Sequence, residues 1–358
     1  MKKRKALFMI CLLTVAFGLT ALVAVFAEKK EETDDLVCVT SFYPVQLLAE
    51  AVTEGAEGVM VRNLTENHSG CIHDYTLTTQ DMRLLSTAEL FLINGGEMEL
   101  FLEKAAAEYT DLVIVDTSEG YDFLEGVEHS HAHGAEADEH SVESCTDPTH
   151  HHEADEHSEE TCTDPTHHHE GTEDSHEGHS HAINAHLWMD IDGYLLQLSR
   201  VEEALVAADP AQAELYRKNA EGCRAELESL KEEFAEAKDL LSGKETVVFH
   251  EGFVYLLRML GIEPVHCLAM DADTQIAAGE AAEIVEECRL HGIDVLFSEA
   301  AYAETVTDTF GQELSCEVIV LDPVTSARDA ETAKSGITVY CDKMRENLET
   351  IKQAYGVQ

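Results

Sequence analysis

Histidines and acidic residues are concentrated in one part of the chain, residues 128–181. This segment holds fourteen histidines, sixteen acidic side chains and no lysine or arginine. Imidazole is the most common protein ligand for borderline divalent metals, and carboxylates add oxygen donors and a negative field that concentrates cations. The composition cannot bury a core, so it predicts disorder. The segment therefore predicts contact with metal ions, without saying what the protein does with them.

A tandem duplication lies inside this histidine-rich segment. The sequence from Asp138 to Ala154 recurs, with few changes, from Asp155 to Gly171. Each copy carries one histidine triplet, and the two triplets are the candidates for metal capture in the segment: His150, His151, His152, His167, His168 and His169. A solvated acidic loop with incidental histidines is the alternative, and the repeated triplets argue against it. Because ordering a flexible segment costs conformational entropy, we expect weaker individual sites here than in a preformed cleft.

The overall charge excludes some partners. The chain has 358 residues, and 71 acidic against 23 basic side chains give a formal net charge of −48. Nucleic acid and anionic lipid surfaces are poor partners for such a chain, whereas cations are natural ones. Apolar residues make up 44% of the sequence, which is enough for two lobes of ordinary size outside the acidic segment.

The N-terminus has the pattern of an export signal. Three lysines and one arginine at positions 2–5 precede an uncharged apolar run over residues 6–27. We predict that residues 1–27 are a signal peptide or an N-terminal anchor, with 6–27 as the anchoring helix, and that the protein is periplasmic or cell-surface associated. Nine cysteines follow this segment; their pairing is not deducible, and the odd number leaves at least one without a disulfide partner.

Short apolar runs alternate with helical patterns over the rest of the chain. The predicted strands are Val37–Phe42, Val59–Asn63, Leu90–Asn94, Leu112–Asp116, Thr246–His250, Pro264–Ala269, Val295–Ser298 and Val318–Leu321. The predicted helices include Val45–Glu54, Thr79–Thr87, Glu97–Tyr109, Gly279–His291 and Ala301–Leu314. This alternation is typical of βαβ units, so we predict an α/β fold of two similar lobes, each a parallel four-stranded sheet with flanking helices.

One long helical pattern separates the two groups of strands. It starts at Asp209–Pro210 and runs to Leu241, with a loose apolar stripe that favours packing along the lobes over a coiled-coil arm. The predicted organisation is an N-terminal lobe at 36–200, a rigid linker helix at 201–242 and a C-terminal lobe at 243–358.

Four candidate metal ligands lie just beyond predicted strands, where parallel sheets place their ligands. They are His73, His186, His250 and Glu299, two in each half of the chain. Three imidazoles and one carboxylate suit tetrahedral zinc. Nearby residues that could act as extra ligands or orient the rings are Cys71, Asp74, Tyr75, Asp190 and Glu251.

Several motifs together resemble the zinc-binding solute-binding proteins of metal ABC transporters, a two-lobed family joined by one rigid helix. They are Thr40-Ser41-Phe42-Tyr43-Pro44, His73-Asp74-Tyr75, His186-Leu187-Trp188-Met189-Asp190, the segment from Phe249 to Leu256, and Phe297-Ser298-Glu299. The resemblance covers nearly all of residues 36–356 and implies that His73, His186 and His250 are the first three ligands and Glu299 the fourth. Manganese-selective relatives carry a carboxylate at the position of His250, so the resemblance implies zinc over manganese. Copper and nickel stay open, because nitrogen-rich sites also bind them well.

The resemblance also implies partners and activity. We expect a monomeric extracytoplasmic receptor that carries Zn²⁺ to a membrane permease driven by a cytoplasmic ATPase, with no enzymatic reaction and no nucleic acid partner. The alternatives are a zinc buffer or metallochaperone without a transporter, a manganese receptor, and a metallohydrolase, although the chain lacks a His-Glu-x-x-His helix. Cell adhesion, a property of some relatives of this fold, has no signature in the sequence.

Overall fold

The computed structural model describes residues 35–66, 68, 70, 72–73, 75–101, 107–126, 183–270, 276–311, 313–327 and 334–357. Four predictions concern residues outside these ranges: the N-terminal segment 1–27, the histidine-rich segment with its two triplets, Cys71 and Asp74. Among the described residues, no helix combines the length and the apolar character needed to cross a bilayer. Within the described residues, six cysteines are free thiols: Cys38, Cys223, Cys267, Cys288, Cys316 and Cys341.

Two parallel four-stranded sheets form the two lobes, as the sequence predicts. The first sheet has the order β2-β1-β3-β4 and the second the order β6-β5-β7-β8, so the two lobes repeat one topology. The strands are β1 (Leu36–Thr40), β2 (Val59–Asn63), β3 (Leu90–Ile93), β4 (Val113–Asp116), β5 (Glu245–Val248), β6 (Glu263–Cys267), β7 (Val295–Ser298) and β8 (Glu317–Val320). β3 and β7 are buried along their whole length, which explains their unbroken apolar sequences.

Eight helices surround the sheets within the described residues. They are α1 (Tyr43–Val52), α2 (Thr79–Leu85), α3 (Ile191–Ala208), α4 (Ala213–Leu241), α5 (Gly252–Met259), α6 (Ala278–His291), α7 (Ala303–Phe310) and α8 (Gly336–Ala354). The sequence predicts neither α3 nor α8 as helices of these lengths.

The long helix is shorter than the predicted linker at 201–242. The first part of that range belongs to α3. This helix ends at Asp209, whose carboxylate accepts a hydrogen bond from Ala211 N at 3.1 Å. A short 3₁₀ turn over Pro210–Gln212 leads into α4. The 29 residues of α4 correspond to about 44 Å at ~1.5 Å per residue. Its buried side chains recur every three to four residues, so α4 packs along the lobes as predicted.

Helix α8 connects the end of the chain to the first lobe. It packs against α1 and α4, and Gly336 lies so close to α1 that an added Cβ would be 2.1 Å from Leu47 O. Arg345 on α8 makes a bidentate ion pair with Glu233 on α4, with N–O distances of 2.7 to 3.0 Å. The predicted C-terminal lobe at 243–358 therefore ends in a helix that also contacts N-terminal elements.

The predicted helix Glu97–Tyr109 is wrong in its first turn. Residues 97–101 are not helical, and Glu97 has a left-handed backbone with φ of 64°. The buried carboxylate of Glu99 accepts hydrogen bonds from Asn94 N at 2.7 Å and Gly95 N at 3.1 Å, at the end of β3. These bonds fold the segment back on the strand end and replace the start of a helix.

Candidate metal centre

Three segments bring donor side chains to the space between the lobes. His73 lies in the connection from β2 to α2, and His186 directly precedes a 3₁₀ turn over Leu187–Met189. His250 and Glu251 join the end of β5 to the start of α5. The carboxyl ends of parallel strands are where α/β proteins place ligands, and here both sheets contribute.

The predicted histidines converge. The ring centroids of His73 and His186 are 5.2 Å apart, and those of His186 and His250 are 4.9 Å apart. One ligand atom each of His73, His186 and Glu251 lies within 4.8 Å of the other two. The side chains of His186 and Glu251 are 2% and 3% exposed, and that of His73 is 13% exposed, so the cluster is reached from the His73 side.

Glu251 is the carboxylate of this cluster. Its Oε1 lies 3.4 Å from His186 Nδ1 and 4.0 Å from His73 Nε2. The sequence includes Glu251 only among the supporting residues, because it follows His250 directly and has no feature that distinguishes a ligand. A carboxylate beside two imidazoles adds the negative charge that three neutral rings lack.

His186 has a fixed environment. Its Nδ1 is 2.9 Å from Asn184 Oδ1, and its ring packs against that of Trp188 at a centroid distance of 4.9 Å. Asn184 is 2% exposed and is absent from the sequence predictions. The available signal was an amide two residues before a candidate ligand, which alone is too common to single out a site.

His250 is buried beside His186 in a different arrangement. Its Nδ1 accepts a hydrogen bond from Gly252 N at 3.1 Å, so the remaining ring proton of the neutral imidazole lies on Nε2. Burial lowers the pKa of His250 to about 4, which keeps the ring neutral at pH 7. Coordination by this histidine requires release of the Gly252 contact or a turn of the ring that presents a free lone pair.

Glu299 is the predicted fourth ligand. It follows β7 at its carboxyl end, is 7% exposed, and lines a cavity of about 520 Å³ with Gly70, Tyr302 and Asp322. Burial, reinforced by the charge of Asp322, raises the pKa of Glu299 to about 7. Glu299 is not a member of the three-residue cluster of His73, His186 and Glu251. Its role as the fourth ligand therefore stays a prediction.

Two predicted supporting residues point elsewhere. The hydroxyl of Tyr75 donates to Asp81 Oδ2 at 2.8 Å, next to the N-terminus of α2, so its polar contact is not with His73. Asp190 accepts from the Tyr121 hydroxyl at 2.6 Å and from Asp192 N at 3.3 Å, where it caps α3. Both residues stabilise the segments that carry the ligands through these contacts.

A family model described as zinc-uptake complex component A, periplasmic, matches residues 38–354 of this chain. The chain belongs to this family. The predicted resemblance is thereby confirmed over residues 38–354.

Individual relatives are similar over nearly the whole chain. The zinc-binding protein AdcA of Streptococcus pyogenes serotype M3 is 25% identical over 356 residues, which are 98% of this chain and 61% of AdcA. The chain thus spans about three-fifths of the length of that relative. The high-affinity zinc uptake system protein ZnuA of Bacillus subtilis is 25% identical over 359 residues, covering 99% of this chain and 98% of ZnuA.

Solved structures share the fold. The metal-dependent lipoprotein YcdH from Bacillus subtilis has a TM-score of 0.65 at 21% identity, covering 89% of this chain and 99% of YcdH. Zn(II)-bound AdcA from Streptococcus pneumoniae has a TM-score of 0.64 at 19% identity, covering 89% of this chain and 57% of AdcA. At these identities the likeness establishes the two-lobed α/β architecture and confirms the predicted fold class.

Proposed function

We propose that this protein binds one Zn²⁺ ion between its lobes and delivers it, outside the cytoplasm, to the membrane permease of an ATP-driven importer. The observation that carries the proposal is the convergence of His73, His186 and Glu251 in a largely buried cluster, with the ring of His250 packed beside that of His186. The names of the relatives, a zinc-binding protein and a high-affinity zinc uptake protein, support the same metal.

The donor set favours zinc. Imidazole nitrogen suits zinc and other late divalent metals, whereas manganese prefers a larger share of oxygen donors. His186 and His250 are 1% and 4% exposed, so little water reaches their rings. An ion bound beside them would be coordinated there by nitrogen and not by water. We assign His73, His186 and His250 as ligands and leave the acidic position to either Glu251 or Glu299, which direct measurement can separate.

Zinc titration of purified variants tests the site. In His73→Ala, His186→Ala and His250→Ala, we expect the tight single-site affinity to fall at least tenfold, as isothermal calorimetry with a competing chelator would measure. His266→Ala is the matched control, because His266 is an outlying histidine whose Nδ1 contacts Glu287 Oε2 at 3.0 Å. Wild-type affinity in all three histidine variants would remove the metal centre from this position.

We further propose that the histidine-rich segment 128–181 collects additional zinc ions for this centre. The proposal rests on its composition, with fourteen imidazoles and sixteen acids in one stretch. Elemental analysis of the protein with and without the segment counts these ions directly, since only the ion held between the lobes should remain after deletion.

Delivery to a permease needs its own test. We expect cells that carry the protein together with its cognate permease and ATPase to accumulate radioactive zinc from a medium with nanomolar zinc. Cells that carry the His186→Ala variant in its place should not accumulate it. Normal uptake with that variant would leave the protein as an extracytoplasmic zinc buffer without a role in the importer.

A further inference from the structure

Asn184 lies at the meeting point of three segments around the candidate metal centre. Its backbone N donates to Leu124 O at 2.8 Å, and its backbone O accepts from the Tyr255 hydroxyl at 2.8 Å. The same hydroxyl accepts from Leu124 N at 3.0 Å. The backbone of Asn184 is therefore held by the first lobe and by α5 of the second.

The side chain of Asn184 connects two residues of the cluster. Its Nδ2 donates to Glu251 O at 2.8 Å, and its Oδ1 accepts from His186 N at 3.1 Å. These two contacts fix the orientation of the amide. In a flipped amide, Oδ1 would face the carbonyl oxygen of Glu251 and Nδ2 would face the N–H of His186, so both contacts would be repulsive.

The fixed amide determines which nitrogen of His186 carries the proton. The same Oδ1 lies 2.9 Å from His186 Nδ1, and an amide oxygen can only accept a hydrogen bond. The ring proton of neutral His186 is therefore on Nδ1, and Nε2 is the unprotonated nitrogen, the one that can coordinate a metal ion. Glu251 Oε1, at 3.4 Å from the same Nδ1, is a more distant second acceptor.

We propose that Asn184 is a positioning residue for metal capture: it holds the proton of His186 on Nδ1 and so presents Nε2 to the ion before the ion arrives. This inference rests on the proposed function and deepens it. His250 provides the contrast within the same site, because its Nδ1 accepts from Gly252 N and its lone pair is already engaged. A ligand whose tautomer is preset does not have to reorganise its proton when the metal binds.

Two substitutions separate positioning from simple structural support. Asn184→Asp keeps an oxygen acceptor for His186 Nδ1–H but loses the N–H that donates to Glu251 O. Asn184→Ala loses both. If Asn184 acts on His186, Asn184→Asp should retain zinc affinity within a few-fold, whereas Asn184→Ala should bind roughly 10- to 100-fold more weakly, the range for lost partners of metal-bound histidine.

Asn219→Ala is the matched control for stability. Asn219 Nδ2 donates to Val52 O and Glu54 O at 3.0 and 2.9 Å, so this variant also loses two side-chain hydrogen bonds to the backbone, on α4 and away from the site. Urea unfolding of the metal-free proteins gives the stability loss of each variant. We expect wild-type zinc affinity in Asn219→Ala, so that lower affinity in Asn184→Ala is not a general effect of destabilisation.

A second readout needs no metal. Long-range ¹H–¹⁵N correlation spectra of the full, metal-free chain distinguish protonated from unprotonated ring nitrogens, and comparison with a His186→Gln variant identifies the signals of His186. We expect the proton on Nδ1 in the wild type and in Asn184→Asp, and a shift of the tautomer population toward Nε2–H in Asn184→Ala.

Three results would overturn the proposal: a wild-type His186 protonated on Nε2, wild-type zinc affinity in Asn184→Ala, or equally weak binding by Asn184→Asp and Asn184→Ala. Failure of the proposed function has a different signature, since the wild-type protein would then lack a tight zinc site whatever the tautomer of His186.

Discussion

The chain has a single tryptophan, and its substitution should weaken the contact between the lobes by a predictable amount. Trp188 is fully buried, packs edge-on against Phe42 at 4.8 Å, and donates from Nε1 to Pro323 O at 2.8 Å. Trp188→Phe keeps an aromatic ring beside Phe42 and removes the donor. It therefore tests how much one hydrogen bond and part of one ring contribute to the joined structure.

The magnitude follows from two terms. The carbonyl of Pro323 is partly buried, and the loss of a donor costs a buried carbonyl about 1–3 kcal/mol. The smaller ring also buries on the order of 50 Å² less apolar surface, which at roughly 25 cal/mol per Å² is about 1 kcal/mol. We expect the free energy of unfolding of the zinc-free protein to fall by about 2–4 kcal/mol in Trp188→Phe.

Urea denaturation followed by far-ultraviolet circular dichroism measures this change, because the variant has no tryptophan fluorescence. Tyr340→Phe is the comparison: the Tyr340 hydroxyl donates to Trp188 O at 2.7 Å, so that variant loses a hydrogen bond and almost no apolar area. We expect Tyr340→Phe to lose about 1 kcal/mol less than Trp188→Phe. A loss below about 0.5 kcal/mol in Trp188→Phe, within the range of ordinary surface substitutions, would refute the assignment of Trp188 to the joint between the lobes.

Three further predictions follow from packing, burial and composition. Gly336→Ala should destabilise the protein by about 1–3 kcal/mol, because the added methyl would overlap the backbone of Leu47. Gly222→Ala on α4 should stabilise the protein by about 0.5–1 kcal/mol, because its added methyl meets no atom within 4 Å. Thermal unfolding of both variants checks these opposite signs. Burial raises the pKa of Glu99 to about 7 from 4.5, so its contribution to stability is fully present below pH 4.5 and is lost as the pH rises through 7. Glu99→Gln should therefore show a smaller fall in unfolding free energy between about pH 5 and pH 8 than the wild type in urea titrations. Deletion of residues 128–181 should lower the number of zinc ions bound, while the affinity of the tight site between the lobes changes less than about threefold. Loss of that tight site in calorimetry would contradict separate roles for the segment and the metal centre.

The strands were predictable because a fully buried strand has an apolar sequence along its whole length. β3 and β7 are short apolar runs bounded by polar residues, and such runs in alternation with helices leave few arrangements other than parallel sheets. The first turn of α8 shows where prediction from local sequence fails. Its first turn contains Ile337, Thr338 and Val339, which are typical of strands, yet it folds as a helix because Ile337 and Val339 are buried where α8 packs against α1. Tertiary packing overrides local propensity at that point.

The site was predictable to the extent that it depends on strand ends. His250 follows β5, and His73 lies in the connection after β2, so the topology alone brings them toward one edge of each sheet. The supporting residues depend on side-chain directions across the lobes, which sequence spacing does not contain. Asn184 illustrates the limit, since its function in the site rests on two opposed contacts, to Glu251 and to His186, made by atoms of one amide.

The acidic ligand is the position at which sequence and structure differ most. The family resemblance favours Glu299, which lines a cavity that no residue of the cluster lines and has a pKa raised to about 7, whereas Glu251 lies 3.4 Å from His186. A carboxylate with a raised pKa gains most from an approaching cation, because the ion relieves the same desolvation that disfavours its charge. Glu251 is already beside the rings and needs no movement of the chain to reach a shared ion. We therefore expect two roles, in which Glu251 contributes charge to the first encounter with the metal and Glu299, as the predicted fourth ligand, holds the bound ion. Glu251→Gln should then slow zinc association in stopped-flow measurements more than it speeds dissociation. Glu299→Gln should speed dissociation more than it slows association. Equal effects of both variants on both rates would leave no distinction between the two carboxylates.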